Sequence, residues 1–209
     1  MRAKLILPTA VAAFALLAGA SVSPAPATAT ATKACANRTA TSIVLKRTAR
    51  VLAYRDKRSF GAKTYACWRP TGRTMTLHTS SGGAATTDIV LDALAISGRV
   101  VAYHVQARGD SNYSFVRSFD VRTGKRLRRS GKFLQPRSTA STAAPRAATI
   151  ATNANGAIVW LANGVLRAMD RDGSRELASE ATGAITAVAA SERTARWRQG
   201  GAERRVRLA

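Results

Sequence analysis

The side chains able to do chemistry in this chain are few in kind: two histidines, two cysteines and 11 carboxylates stand against 33 lysines and arginines. His78 and His104 are too few for a histidine-based metal centre, and two cysteines exclude a four-thiolate zinc site. The spacing of Cys35 and Cys67 also excludes a C-x-x-C redox centre. The chain contains no G-x-S-x-G nucleophile elbow, no phosphate-cradling G-x-x-x-x-G-K-[ST] loop and no H-E-x-x-H metal helix. His78 sits in a threonine-rich segment and reads as solvated. His104 follows an aromatic in a recurring unit whose other copies carry Arg55, Leu161 and Arg198, so it reads as a lining position rather than a general base. Asp170-Arg171-Asp172-Gly173 lacks the later glutamate of a calcium loop and reads as a tight hairpin. No cofactor is expected. A hydrolase built from two carboxylates of separate segments is the alternative function, but Asp56, Asp110, Asp172 and Glu192 fall where turns are expected.

The cysteines point instead to a structural role. Met1-Arg2-Ala3-Lys4 is a short cationic start, Leu5 to Ala20 is apolar, and A-x-A sites follow at Ala25-Pro26-Ala27 and Ala29-Thr30-Ala31. That order is a secretory leader, residues 1–27, with cleavage after Ala27 or as late as Ala31. Its apolar run of about 16 residues is short of the roughly 20 that span a bilayer, so no stable membrane insertion is expected after cleavage. A secreted, extracytoplasmic chain favours a Cys35–Cys67 disulfide. Closing a loop of about 31 residues contributes roughly 3–4 kcal/mol on the chain-entropy account and is expected to pin the N-terminal end onto the first sheet.

The formal charge is +22, and removal of Arg2 and Lys4 with the leader lowers it to +20. Such a charge attracts polyanions, including anionic cell-envelope polymers. Two runs concentrate it: Arg126, Arg128 and Arg129, and Arg204, Arg205 and Arg207. Strand alternation places Arg126 and Arg128 on one face. Aromatics are scarce beside both runs, which speaks against base stacking and sequence-specific nucleic acid recognition.

The elements that must carry these groups repeat. Arg50-Val51-Leu52-Ala53-Tyr54-Arg55 returns as Arg99-Val100-Val101-Ala102-Tyr103-His104, as Gly156-Ala157-Ile158-Val159-Trp160-Leu161, and as Arg193-Thr194-Ala195-Arg196-Trp197-Arg198. These segments are short, rich in β-branched and aromatic residues, and bounded by turn formers, so they read as strands. Helix and strand readings compete only over Ile89 to Ser97, where the Ser97-Gly98 turn favours a strand. A second unit follows each of the first three copies: Trp68-Arg69-Pro70-Thr71-Gly72, Asp120-Val121-Arg122-Thr123-Gly124-Lys125 and Asp170-Arg171-Asp172-Gly173. Glycine there takes positive φ without a Cβ clash. The chain between Tyr103 and Trp160 is the longest of the three intervals and contains the Pro/Ala/Thr/Ser tract 136–149, expected to be an exposed loop.

Asp120-Val121-Arg122-Thr123-Gly124-Lys125 resembles the D-x-x-T-G-K hairpin of blade repeats in WD40-like and quinoprotein-like β-propellers. Arg128 stands where the quinoprotein repeat has tryptophan, so the resemblance implies architecture and no quinone site. The expected fold is all-β: a small propeller-like array of about four antiparallel blades, the last one short. Residues 28–41 form a flexible linker and 42–209 the β-repeat domain. A stretch near Ala36–Thr41 is expected to supply the outer strand missing from the last blade and so to help close the ring. An incomplete array is the alternative. The function expected from all this is a secreted, non-enzymatic binding or scaffold module at the cell envelope.

Overall fold

A computed structural model describes residues 35, 36, 38, 39, 41–58, 61–81, 87–109, 112–134 and 148–209. The leader and most of both the 28–41 and 136–149 segments, with Asp110, lie outside the described residues. Within them the chain is all-β, interrupted by a single 3-10 turn at Glu180–Thr182.

Four antiparallel sheets follow one another along the chain. The first contains β1 (Ile43–Arg47), β2 (Val51–Arg58), β3 (Gly61–Trp68) and β4 (Arg73–Ser81), in that spatial order. The second contains β5 (Thr87–Ser97), β6 (Val100–Gly109), β7 (Tyr113–Asp120) and β8 (Arg126–Arg129), and β9 (Phe133–Leu134) pairs with β7 alongside β8. The third holds β10 (Thr149–Thr152), β11 (Ile158–Ala162), β12 (Val165–Asp170) and β13 (Gly173–Ser179). The fourth has three strands, β14 (Ile185–Ala190), β15 (Thr194–Gln199) and β16 (Ala202–Arg207). The ambiguous Ile89–Ser97 segment is part of β5, its glycine turn at Gly98 (φ +58°) sending the chain back as β6.

The hairpins show why these residues reverse the chain. Gly124, at φ +76°, donates its amide to the Asp120 carbonyl at 2.7 Å, and the Asp120 carboxylate accepts from the Arg122 and Thr123 amides. Gly72 donates to the Trp68 carbonyl in the same manner. Asp170 accepts from the Asp172 amide, and Arg175 pairs with it at 2.8 Å, so this turn is a hairpin held by an arginine.

Strand alternation divides each sheet into two faces, and three cores form between neighbouring sheets. Val51, Ala66, Trp68 and Leu77 of the first meet Leu91, Val101, Tyr103 and Val105 of the second. Ala102 and Val116 meet Ile158, Trp160, Ala162 and Met169 of the third. Val159, Leu166 and Ala168 meet Ile185, Ala195, Trp197 and Leu208 at the fourth. Each large apolar side chain buried this way contributes about 1.5–3 kcal/mol. Tyr103, Trp160 and Trp197 all lie on the second strand of their sheet, buried, and turned toward the preceding sheet. Polar ties cross each junction. Tyr103 donates to the Leu77 carbonyl, Ser118 to that of Gly156, and the Asn153 amide to those of Ser191 and Glu192.

Tyr54 occupies the matching place in the first sheet, which has no preceding sheet in the chain. It packs with Leu52, Tyr65 and Cys67 in a small separate core that Cys35 covers. The Cys35–Cys67 disulfide closes here, with 5.8 Å between the Cα atoms. The Tyr54 hydroxyl donates to the Ala36 carbonyl at 2.5 Å, Thr74 donates to the same oxygen, and Thr39 donates to Asp56. Of the Ala36–Thr41 stretch, expected as the outer strand of the fourth sheet, the described residues Ala36 and Thr39 bond to the first sheet instead. Their bonding partners are side chains of β2 and β4, and the disulfide to Cys67, 32 positions along the chain from Cys35, holds the segment there. Strand β1 is exposed along its length, including Ile43, Val44 and Leu45.

Candidate anion-binding face

The fourth sheet places its arginines by the same alternation that buries its core. In β15 (Thr-Ala-Arg-Trp-Arg-Gln), Ala195 and Trp197 turn inward onto the third sheet, which forces Arg196 and Arg198 outward. The β15–β16 register sets Arg205 opposite Arg196, Glu203 opposite Arg198 and Arg207 opposite Thr194. Arg196, Arg198, Arg205 and Arg207 therefore share one exposed face. Arg204, opposite Trp197, belongs to the other.

That face is open because its neighbours are small. Ala189 of β14 lies opposite Arg196, and a bulge between Thr186 and Ala189, with Ala187 at φ +52°, bends the strand there. A shallow cavity of about 440 Å³ is lined by Arg193, Thr194, Arg196, Arg205, Val206 and Arg207. Among the described residues, the guanidinium groups of Arg193, Arg196, Arg198, Arg205 and Arg207 make no hydrogen bond or ion pair. Arg196 directly opposite Arg205 is an unfavourable like-charge pair, and a bound anion would relieve it.

The other predicted basic run behaves differently. A bulge at Leu127 makes Ser118 pair with Arg128 and Phe119 with Arg126. The extra residue reverses the alternation, so Arg126 shares a face with Arg129, and Arg128 takes the opposite one; the expected Arg126/Arg128 stripe does not form. Arg128 is half-buried and bonds the Leu127 carbonyl at 2.7 Å. Leu127 lies against Gly156, where a Cβ would come within 2.7 Å of it. The neighbouring Arg117 lies over the Phe115 ring at 4.5 Å. The structure does not bring the two predicted basic runs together into one site: they lie in the second and fourth sheets.

A second cavity, of about 560 Å³, lies beside the first and shares Arg193 and Arg207 with it; Asn155, Arg171, Asp172, Arg175 and Glu192 complete much of its wall. Its charges are mixed, and those around Arg175 are engaged. Arg175 bonds both Asp170 and the Arg207 carbonyl, while Asp170 accepts the Ala209 amide at 3.1 Å. Burial alone would push the Asp170 carboxyl up, but the Ala209 amide, the Arg175 guanidinium and the Asp172 amide hold it below its usual value.

The histidines are not solvated lining residues. His78 is half-buried, its Nε2 3.2 Å from the Ile89 carbonyl, and burial lowers its pKa. His104 is 1% exposed, with Nδ1 2.5 Å from the Asp92 carboxylate, which the β5 bulge between Leu91 and Ala93 supplies. Asp56, expected in a turn, is buried within β2. Sequence reasoning missed Arg193, Arg196 and Arg198 as charge-bearing site residues. The signal was present, since every second residue of Thr194–Arg198 flanking Ala195 and Trp197 is polar. Among the described residues no group of three or more histidine, cysteine or acidic side chains could hold a metal ion, and no helix is long and apolar enough to cross a membrane.

Searches against protein-family models, curated proteins and solved structures returned no match to this chain.

Proposed function

We propose that this protein is a secreted, non-enzymatic binding module of the cell envelope that holds anionic polymers on the outer face of its fourth sheet. In this reading the four sheets are blades of a small propeller-like array that stays open. The fourth blade ends the array, and its outward face is a ligand surface instead of an inter-blade core. The leader layout and the Cys35–Cys67 bridge support export into an oxidising compartment. The hairpin at Asp120–Lys125 supports the comparison with propeller blades.

The observation that carries the reading is the set of unpartnered guanidiniums, from Arg196, Arg198, Arg205 and Arg207, converging on one exposed face. Guanidinium forks match phosphate and carboxylate oxygens bidentately. Counterion release then makes binding fall steeply with salt. The test is elution from heparin resin along a salt gradient, against an unrelated protein of equal charge and against the quadruple Arg→Gln variant. The native protein is expected to elute last. Co-elution with the variant would mean that bulk charge alone retains it, and the reading would be lost.

A further inference from the structure

We infer that the anion held on the fourth sheet is an extended phosphodiester polymer whose phosphates are joined through three-carbon links, as in a polyol-phosphate chain, and that it crosses from β16 to β15. This inference rests on the reading of that face as anion-binding and adds the ligand's repeat and path.

The repeat comes from covalent geometry. Same-face residues of a strand are separated by six backbone bonds, and a rise of about 3.3–3.4 Å per residue puts them about 6.7 Å apart. Arg205 and Arg207 have that spacing on β16, as do Arg196 and Arg198 on β15. A phosphodiester chain with three carbons between its ester oxygens, P–O–C–C–C–O–P, also has six bonds between charges. Since three bonds of a polypeptide span 3.8 Å, six such bonds span about 7 Å when extended. The polymer's charge repeat therefore matches the strand's. Inorganic polyphosphate, with two bonds between phosphorus atoms, is too dense to place one phosphate on each arginine. A polyuronate carries its carboxylates on bulky rings and has a different repeat.

The path comes from the register. Along β16 the outward face reads Arg207, Arg205, Glu203; along β15 it reads Thr194, Arg196, Arg198. Arg205 and Arg196 stand opposite each other, about 5 Å apart as cross-strand neighbours. The positive track therefore runs Arg207, Arg205, Arg196, Arg198, a diagonal across two strands: its two along-strand steps match the extended repeat, and the shorter cross-strand step needs one contracted link of the flexible chain. Glu203, opposite Arg198, blocks a straight run along β16. Arg193 stands at the rim of the cavity around Arg196, Arg205 and Arg207, where the track starts. Four contacts on a flexible single chain give a slope of log K against log salt of about −3, at roughly −0.7 per phosphate.

The experiment measures binding of poly(glycerol phosphate), inorganic polyphosphate, polygalacturonate and oligo(dT) at equal charge concentration across a salt series. It uses the native chain, Arg205→Gln/Arg207→Gln and Glu203→Gln, each checked by circular dichroism. Poly(glycerol phosphate) is expected to bind at least tenfold tighter than polyphosphate or polygalacturonate. Its slope should fall by about 1.4 in the double arginine variant, two phosphates' worth. Glu203→Gln should bind polymer more tightly and narrow that preference, because the straight path along β16 opens. Equal affinity for all four polymers, lost in the arginine variant, would leave the anion-binding face standing and overturn the phosphodiester inference. No loss in the arginine variant for any polymer would overturn both. Oligo(dT) shares the six-bond repeat: affinity comparable to poly(glycerol phosphate) supports the spacing argument, whereas a tenfold preference for oligo(dT) overturns the polyol assignment.

Discussion

The two ends of the sheet series solve the same problem in opposite ways. Each terminal sheet has one face with no neighbouring sheet to bury it. The first sheet makes that face apolar, with Leu52, Tyr54 and Tyr65, and covers it with a segment bridged from Cys35 to Cys67. The fourth sheet makes it polar, with four outward arginines, and leaves it uncovered. A terminal sheet thus needs either a lid or charge, and the choice can be read in which alternate residues are apolar. The difference also separates stability from function: a lid contributes to folding, whereas unpartnered like charges contribute nothing to it and are available to a ligand.

The covered end should be the fragile one. Reduction, or Cys35→Ser/Cys67→Ser, is expected to cost about 3–4 kcal/mol on the chain-entropy account. For a domain of this size that lowers the melting temperature by about 10 °C. Calorimetry of native and reduced protein checks this. Equal melting temperatures would mean that the strap does not hold the first sheet, and the contrast between the ends would collapse.

The next effect belongs to the junction beneath the open end. Asp170 is buried and accepts from Arg175 and the Ala209 amide. Hydrogen bonds to a charged partner contribute about 1.5–3 kcal/mol, so Asp170→Asn should cost about that much. The sign with pH follows from its lowered pKa. The stabilisation is complete above the usual carboxyl value of 3.8 and is lost as pH falls through the lower folded value. Urea melts of the native chain should show this loss in acid, and Asp170→Asn should lack that component. Tyr54→Phe, back at the covered end, removes the hydroxyl bond to Ala36 and the hydroxyl's contact with Thr74. It should cost about 1 kcal/mol, and less once the disulfide is reduced, since both hold the same segment.

Much of the architecture was legible because strand alternation and glycine turns are local. Tyr54, Tyr103, Trp160 and Trp197 could be picked out as equivalent strand positions from a recurring six-residue unit, and the structure buries each on the second strand of its sheet; the Asp120–Gly124 turn was legible from its composition. The failures have one cause, which is that single-residue slips are invisible to a periodic pattern. The bulge at Leu127 moved Arg128 to the face away from Arg126. The bulge beside Leu91 brought Asp92 to His104 and turned a supposed lining residue into a buried pair. The strap was legible in part. Cys35 matched to Cys67 by elimination, and that bridge pins the N-terminal end onto the first sheet as expected, but nothing local told the following residues to cap that sheet and not to pair with the fourth.

The smallest expected effect tests the open end most sharply. Arg196→Gln/Arg205→Gln removes two exposed guanidiniums that stand opposite each other and have no partner. Surface changes of this kind usually stay within about 0.5 kcal/mol. Here the sign should be stabilising, because a like-charge cross-strand pair is relieved, and the gain should shrink as salt screens the charges. Arg128→Gln makes the matching change in the second sheet. There the side chain is half-buried and bonds the Leu127 carbonyl, and a hydrogen bond to a charged group contributes about 1.5–3 kcal/mol. Denaturant melts of both variants at low and high salt provide the comparison. A destabilised Arg196→Gln/Arg205→Gln protein would mean that these arginines are structural and that the fourth sheet's outer face is committed to the fold. A neutral or stabilised protein that has lost its retention on heparin resin separates binding from folding at that face.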